Sequence, residues 1–403
     1  MIYTVFEMPG LRICAELSNG SIKFSANGIL SPLGKFAASL IDRYLKAERP
    51  LLATSEKYVL SSWIPPVPSP AFSRLLSNQI KIKIKGKKIP EQISIAVTGR
   101  CPCDCIFCCA KGITATPELT LDEIKSIIDQ GVQLGTHLFT FDGGEPLLRK
   151  DIFEIISYAH STGSHTVMFT NGLYLTREVA KRLRESGLDA LQVSIDSPYE
   201  KEHDQIRGVP GIFTKAMQGV KEAVEEGLIV SLYYVARKEN SDRKTLNDLL
   251  SLASSLGAHE VTLYDILAIG KWLDHENDTL TDEDRTRTIQ FHKEVNQNGK
   301  TGPKVMAFSY FESPEIFGCM AGRRWIHITP AGDVLPCSYT PLTFGSIRRE
   351  PLKNIWEKIR SHPEYKKEPV ACMVQNKEFR QKYIYTIPPN AKLPYPIVES
   401  RAL

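Results

Sequence analysis

The feature that most constrains this chain is an apolar strand followed by an amphipathic helix, repeated at intervals of roughly 30 to 40 residues between about 91 and 300. Short apolar runs stand at 93–97, 138–141, 166–169, 190–195, 229–235 and 261–266. Helical patterns fill the gaps at 121–134, 152–160, 177–185, 213–226 and 245–256. A strand and its parallel neighbour need a crossover, and a helix of this length supplies one. Six such units predict an α/β fold, a partial (β/α)6 TIM-like barrel that stays open. Functional side chains of such a barrel gather where the strands run out at their C-terminal ends.

Two flanks differ in character. Residues 1–90 read as an α+β accessory region, with a Pro-rich patch, Trp63-Ile64-Pro65-Pro66-Val67-Pro68-Ser69-Pro70, and a basic run at 81–88. Within it, 31–46 has Phe36, Leu40, Ile41, Tyr44 and Leu45 at helical spacing, which suits docking on the core or a peripheral membrane contact. Residues 301–403 read as a small C-terminal domain with a Pro-rich tail. Net charge is +4, too weak a field to imply nucleic acid as a partner. No charged segment followed by an apolar run opens the chain, and no apolar stretch approaches the roughly 18 residues of a membrane span, so the expected compartment is the cytoplasm.

Nine cysteines are distributed unevenly. Cys101, Cys103, Cys105, Cys108 and Cys109 crowd the loop after the first strand, whereas Cys319, Cys337 and Cys372 fall in the C-terminal part and Cys14 stands alone. In a chain without secretion signals, clustered thiols predict metal or redox ligands rather than disulfides. A structural zinc site asks for a second close Cys or His pair, and none follows. Cys101, Cys105 and Cys108 form CxxxCxxC, three thiolates for a 4Fe-4S cluster with one iron left over. After the second strand stands Asp142-Gly143-Gly144-Glu145-Pro146, where glycines permit close backbone approach and the acid can hold an amine.

Together these motifs resemble the radical S-adenosylmethionine (SAM) superfamily over about 91–380. The resemblance implies a 4Fe-4S cluster on Cys101, Cys105 and Cys108, and SAM chelated at the open iron. An external electron donor such as flavodoxin or ferredoxin would reduce it. Phe107 then corresponds to the adenine-side contact, and Gly143, Gly144 and Glu145 to the turn that positions the methionine amino group. Ser194 and Asp196 match the ribose-contacting position, although Asp196 could equally cap a loop. Arg237 is placed for the SAM carboxylate. Ile266 and Leu267 either border adenine or pack in the core. Thr170-Asn171-Gly172 resembles a recurrent turn of the family, with an ordinary helix-entry turn as an equal alternative, and His203-Asp204-Gln205-Ile206-Arg207-Gly208 a supporting segment near the site. Cys103 and Cys109 are read as bystanders.

The second set, Cys319, Gly332 and Cys337 in a C-x12-G-x4-C pattern with Cys372 beyond, resembles the SPASM and twitch extensions. Ordinary buried cysteines are the alternative. Residues 329–334 between the first two predict a hairpin turn. A SPASM tail carries a further cysteine-dense stretch that is missing here, so one auxiliary 4Fe-4S cluster of the twitch kind is expected. The implied activity is hydrogen abstraction by a 5′-deoxyadenosyl radical, leading to oxidation, decarboxylation or C–C/C–S bond formation. The substrate would be a cofactor precursor, a peptide, or a lipid or isoprenoid. A scaffold or electron-transfer protein that never cleaves SAM is the alternative.

Overall fold

The computed structural model describes residues 1–18, 21–35, 48–297, 299–313, 316–367 and 371–397. Residues 31–35 are helical, while the apolar positions that define the expected amphipathic segment, from Phe36 to Leu45, lie outside the described residues.

The centre is one largely parallel sheet. Its strands are β6 (Gln92–Thr98), β7 (Leu138–Gly143), β8 (His165–Thr170), β9 (Ala190–Ser194), β10 (Ile229–Ala236) and β11 (Glu260–Asp265), all six where the apolar runs predict them. The crossovers include α2 (Leu121–Leu134), α3 (Ile152–Ser161), α4 (Arg177–Glu185), α5 (Glu200–Arg207), α6 (Ile212–Glu225) and α7 (Arg243–Ser255). Their ends are set locally. In α2, Thr120 and Glu123 form a reciprocal capping box, and Gly135 closes the C-terminus at φ 107°. Each strand buries Ile, Val, Leu or Phe side chains against these helices, as in Ile93, Ile95, Phe139, Phe141, Leu191 and Val193.

The sheet continues past residue 300. β12 (Lys304–Ala307) pairs parallel with β11, and β13 (Trp325–Ile328) pairs parallel with β6 at the opposite edge. β14 (Val334–Leu335) then returns antiparallel to β13 through the expected turn, with Gly332 at φ 91°. The order β12-β11-β10-β9-β8-β7-β6-β13-β14 leaves the barrel open. The six expected strands form the centre of this sheet, and the C-terminal part adds two further parallel strands. β12 and β13 are four residues each, too short to show a period.

The N-terminal region builds its own small core, beside a short antiparallel pair of β4 (Leu52–Ala53) and β5 (Tyr58–Val59). The antiparallel sheet of β1 (Ile2–Met8), β2 (Leu11–Ser18) and β3 (Ser21–Asn27) packs Ile13 and Leu17 against Phe72 and Leu76 of α1 (Pro70–Lys85). α1 absorbs much of the basic run. Ser69 caps it by accepting from the Phe72 N–H at 3.1 Å, and Lys83 and Lys85 face the negative end of its dipole. The Pro-rich segment between the two regions plugs the N-terminal mouth of the barrel. Ser61 donates to buried Glu260 at 2.9 Å, the Ser62 N–H donates to it at 3.0 Å, and the Ser62 hydroxyl accepts from Gln192 at 2.8 Å.

Candidate active site

At the C-terminal strand ends lies a cavity of about 520 Å³. The loop leaving β6 forms one wall and carries Cys101, Cys103, Cys105, Phe107, Cys108 and Cys109, all of which line it. Because the loop has no ladder of its own, neighbouring elements hold its backbone. The Asp104 N–H donates to Arg207 O at 3.0 Å and the Ile106 N–H to Ile206 O at 3.1 Å, while Cys108 O accepts from the Lys271 N–H at 3.1 Å. Thr98 and the Gly99 N–H both bond Glu118, at 2.6 and 2.9 Å, which ties the two ends of the loop together.

Gly143 and Gly144 are required by this crossing. A Cβ on Gly143 would sit 2.3 Å from Thr98 O, and one on Gly144 2.1 Å from Arg100 O. The Gly144 and Glu145 N–H groups donate to those same carbonyls at 2.7 Å each. Both glycines line the cavity. The Glu145 side chain does not: it is fully buried and accepts from Thr170 Oγ1 (2.8 Å), the Asn171 N–H (2.7 Å) and the Leu147 N–H (3.1 Å). Burial raises its carboxyl above the usual range, against the pull of those donors. Thr170-Asn171-Gly172 is thereby welded to the glycine turn, and Thr170 and Asn171 reach the cavity wall.

Ser194 lines the cavity, whereas Asp196, read from the sequence as a ribose contact or a loop cap, is fully buried and ion-paired to Arg207 Nε at 2.5 Å. Arg237 is off the wall. Its guanidinium sits 3.6 Å from Glu202, and its N–H donates to Asn240 at 2.6 Å. The strand turns at Arg237 into a short 3-10 turn, which directs this side chain toward α5 rather than inward. Ile266 and Leu267 are buried and also line the cavity.

Cys103 hydrogen-bonds both Cys101 and Cys105. The bond from Cys103 lowers Cys105 to about 6, helped by the neighbouring Arg207 charge. Cys101 is lowered by the same neighbour. Cys319, Cys337 and Cys372 come together from three separate segments. A hydrogen bond from Cys372 lowers Cys319 to about 7, while burial pushes Cys337 up to about 12. Glu312 shares this neighbourhood, its carboxyl raised first by burial and then by the Cys319 charge. Met320 and Tyr339, next to Cys319 and near Cys337, line the cavity, while Cys319, Cys337 and Cys372 themselves do not. Soft thiols in both places, some already biased toward thiolate, are the donor chemistry of iron–sulfur clusters.

Several wall residues escape sequence reasoning. Trp63 arrives from the plug, its ring 5.8 Å from Phe169 and 5.4 Å from Phe308. Tyr233 and Tyr339 meet hydroxyl to hydroxyl at 3.1 Å, and Tyr264 packs 5.0 Å from Tyr339. Asp142 faces the cavity beside His327, 3.9 Å away, and its Oδ1 has no partner among the described residues. Burial pushes Asp142 up to about 7 and His327 down to about 3. Strand alternation carries the one available signal: with Phe141 in the core, Asp142 must point inside.

Comparison with known proteins agrees with this geometry. Residues 95–250 match the family model of the radical SAM superfamily, and 319–384 match SPASM, an iron–sulfur cluster-binding domain. The AdoMet-dependent heme synthase of Methanosarcina barkeri is 30% identical over 291 residues, 66% of this chain and 82% of that protein. The PqqA peptide cyclase of Granulibacter bethesdensis is 28% identical over 289 residues, covering 69% and 76%. Streptococcus suis SuiB bound to its precursor peptide SuiA shares the fold at a TM-score of 0.55, with 16% identity over 73% of this chain and 71% of that one. By motif, fold and relatives, this chain belongs to the radical SAM superfamily, with a SPASM iron–sulfur domain at its C-terminal side.

Proposed function

We propose that this chain carries out a net oxidation, using the loop of Cys101, Cys105 and Cys108 to start the reaction and Cys319, Cys337 and Cys372 to hold one auxiliary cluster. The supporting observation is the cavity that the first thiol set lines and that Met320 and Tyr339, beside the second set, also line. When bound, SAM and the clusters supply a 5′-deoxyadenosyl radical that takes a substrate hydrogen atom, and an acceptor for the electron left behind. An external donor such as flavodoxin or ferredoxin provides the first electron.

The chain's own residues position and shield. Phe107, Gly143, Gly144 and Ser194 present the SAM side of the wall, and the aromatic rings opposite exclude water. Oxidation also releases a proton. Asp265 at the wall is already engaged by Ser309 (2.5 Å) and Arg285 (3.2 Å), which leaves the Asp142 carboxylate, itself on the wall, as the acceptor. The substrate we favour is a tetrapyrrole-type cofactor precursor, on the strength of the heme synthase relative and the aromatic wall. A peptide is the second reading: a peptide cyclase is also a relative, and cavity-facing carboxyls suit N–H donors better than a polycarboxylate.

The test is anaerobic reconstitution followed by dithionite, SAM, and either Fe-coproporphyrin III or a PqqA-type precursor peptide. Deoxyadenosine and a product lighter by hydrogen or CO₂ are expected with one of them. Fully loaded protein that releases no deoxyadenosine under any of these conditions would favour the electron-transfer alternative.

A further inference from the structure

Arg207 takes no part in that scheme, yet it is the cation most closely built into the cysteine loop. It lies at the end of α5, 8% exposed, and its Nη1 donates to Cys105 Sγ at 3.6 Å. Its backbone carbonyl and that of Ile206 hold the Asp104 and Ile106 N–H groups, so guanidinium and sulfur cannot drift apart independently. Behind it, fully buried Asp196 is ion-paired with Nε at 2.5 Å, and the Asp196 N–H donates to His203 Nδ1 at 3.1 Å. A guanidinium is always charged, and its planar fork serves two partners at once.

We propose that Arg207 is a positioning residue that tunes the first iron–sulfur site, donating to the Cys105 sulfur while Asp196 clamps the guanidinium in place. Reduction adds negative charge at the cysteine-bound centre, and hydrogen bonds to its sulfurs are among the factors that set the potential. A fixed cationic donor favours the reduced state, and a buried carboxylate behind it restrains that effect. The two residues therefore pull in opposite directions, which a purely architectural role would not produce. The inference rests on Cys105 being a ligand.

The experiment is a redox titration of the reconstituted full-length protein, followed by electron paramagnetic resonance without SAM, with iron counted in every sample. Arg207→Gln should lower the midpoint potential of the first cluster, with a tenfold weaker equilibrium for reduction, about 59 mV for one electron. Asp196→Asn should shift it upward. Arg207→Lys, which keeps charge but not the fork, should restore part of the loss. If Arg207→Gln fails to load iron, the direction of the Asp196→Asn shift decides. Full iron with an unchanged potential, or both variants moving the same way, overturns the proposal. So does weaker SAM binding at an unchanged potential, which would make Arg207 a SAM contact instead. Cys105→Ala that still holds its first cluster would show that the ligand reading, not the tuning, is at fault.

Discussion

The two thiol sets use the same chemistry in opposite surroundings. The first lies on an irregular loop, with Cys101 exposed and Cys105 and Cys108 half-buried on a cavity wall. The second lies in the main core, with Cys319 at 3% and Cys337 at 4% exposure, packed with Trp325, Trp356 and Tyr365. Under the proposed function, the contrast matches two tasks. A centre that binds SAM must face open space, and its loop is pinned by backbone bonds because it has little packing to rely on. A centre that only exchanges electrons can be dry, and there each buried thiol also contributes to the core.

The sharpest way to break this comparison is to remove the open site. A Cys101/Cys105/Cys108→Ala variant should release no deoxyadenosine and should lose about four of about eight irons per chain, by iron analysis and chromatography. Cys319→Ala should show the reverse pattern: deoxyadenosine continues, the oxidised product disappears, and again about half the iron is lost. Retained product formation would mean that the buried set is structural.

Between the two sites, Asp142 predicts a pH effect. Its carboxyl is held at about 7 in the fold but ionises near 3.8 when unfolded. The unfolded chain therefore gives up the proton first, and wild-type stability falls as pH rises from about 4 to about 7. Asp142→Asn lacks this penalty. Its advantage over wild type in urea unfolding should be larger at pH 8 than at pH 5, by about 2 kcal/mol, since 23% of the side chain faces the cavity. An advantage that is equal at both pH values would contradict the burial of this acid. The smallest effect is expected for Tyr233→Phe. It removes the 3.1 Å contact with the Tyr339 hydroxyl and should cost about 1 kcal/mol, read in the same unfolding series.

Much of this was legible from residues alone, for identifiable reasons. All six central strands are largely apolar because both faces are covered, and α2 and α4 show 3.6-residue periodicity between clear caps. α1 was hidden because Ile and Lys alternate across 80–85, a period of two that its caps and packing override. Arg237 and Asp196 were placed from the ends of the right strands, yet the direction of a side chain just beyond a strand depends on the local turn and on which partner lies within reach.

The sequence by itself determined the alternating α/β core, the three-cysteine loop and the glycine turn beneath it, since each is encoded within a few consecutive residues. Only the tertiary structure decided that β12 and β13 extend the same sheet, that Trp63 reaches the barrel from well upstream of β6, and that Cys319, Cys337 and Cys372 come together behind Met320 and Tyr339 of the cavity wall. It also decided that Asp196 clamps Arg207 against Cys105. Those pairings join residues tens to hundreds of positions apart, and no local pattern records a partner that the chain meets only when packed.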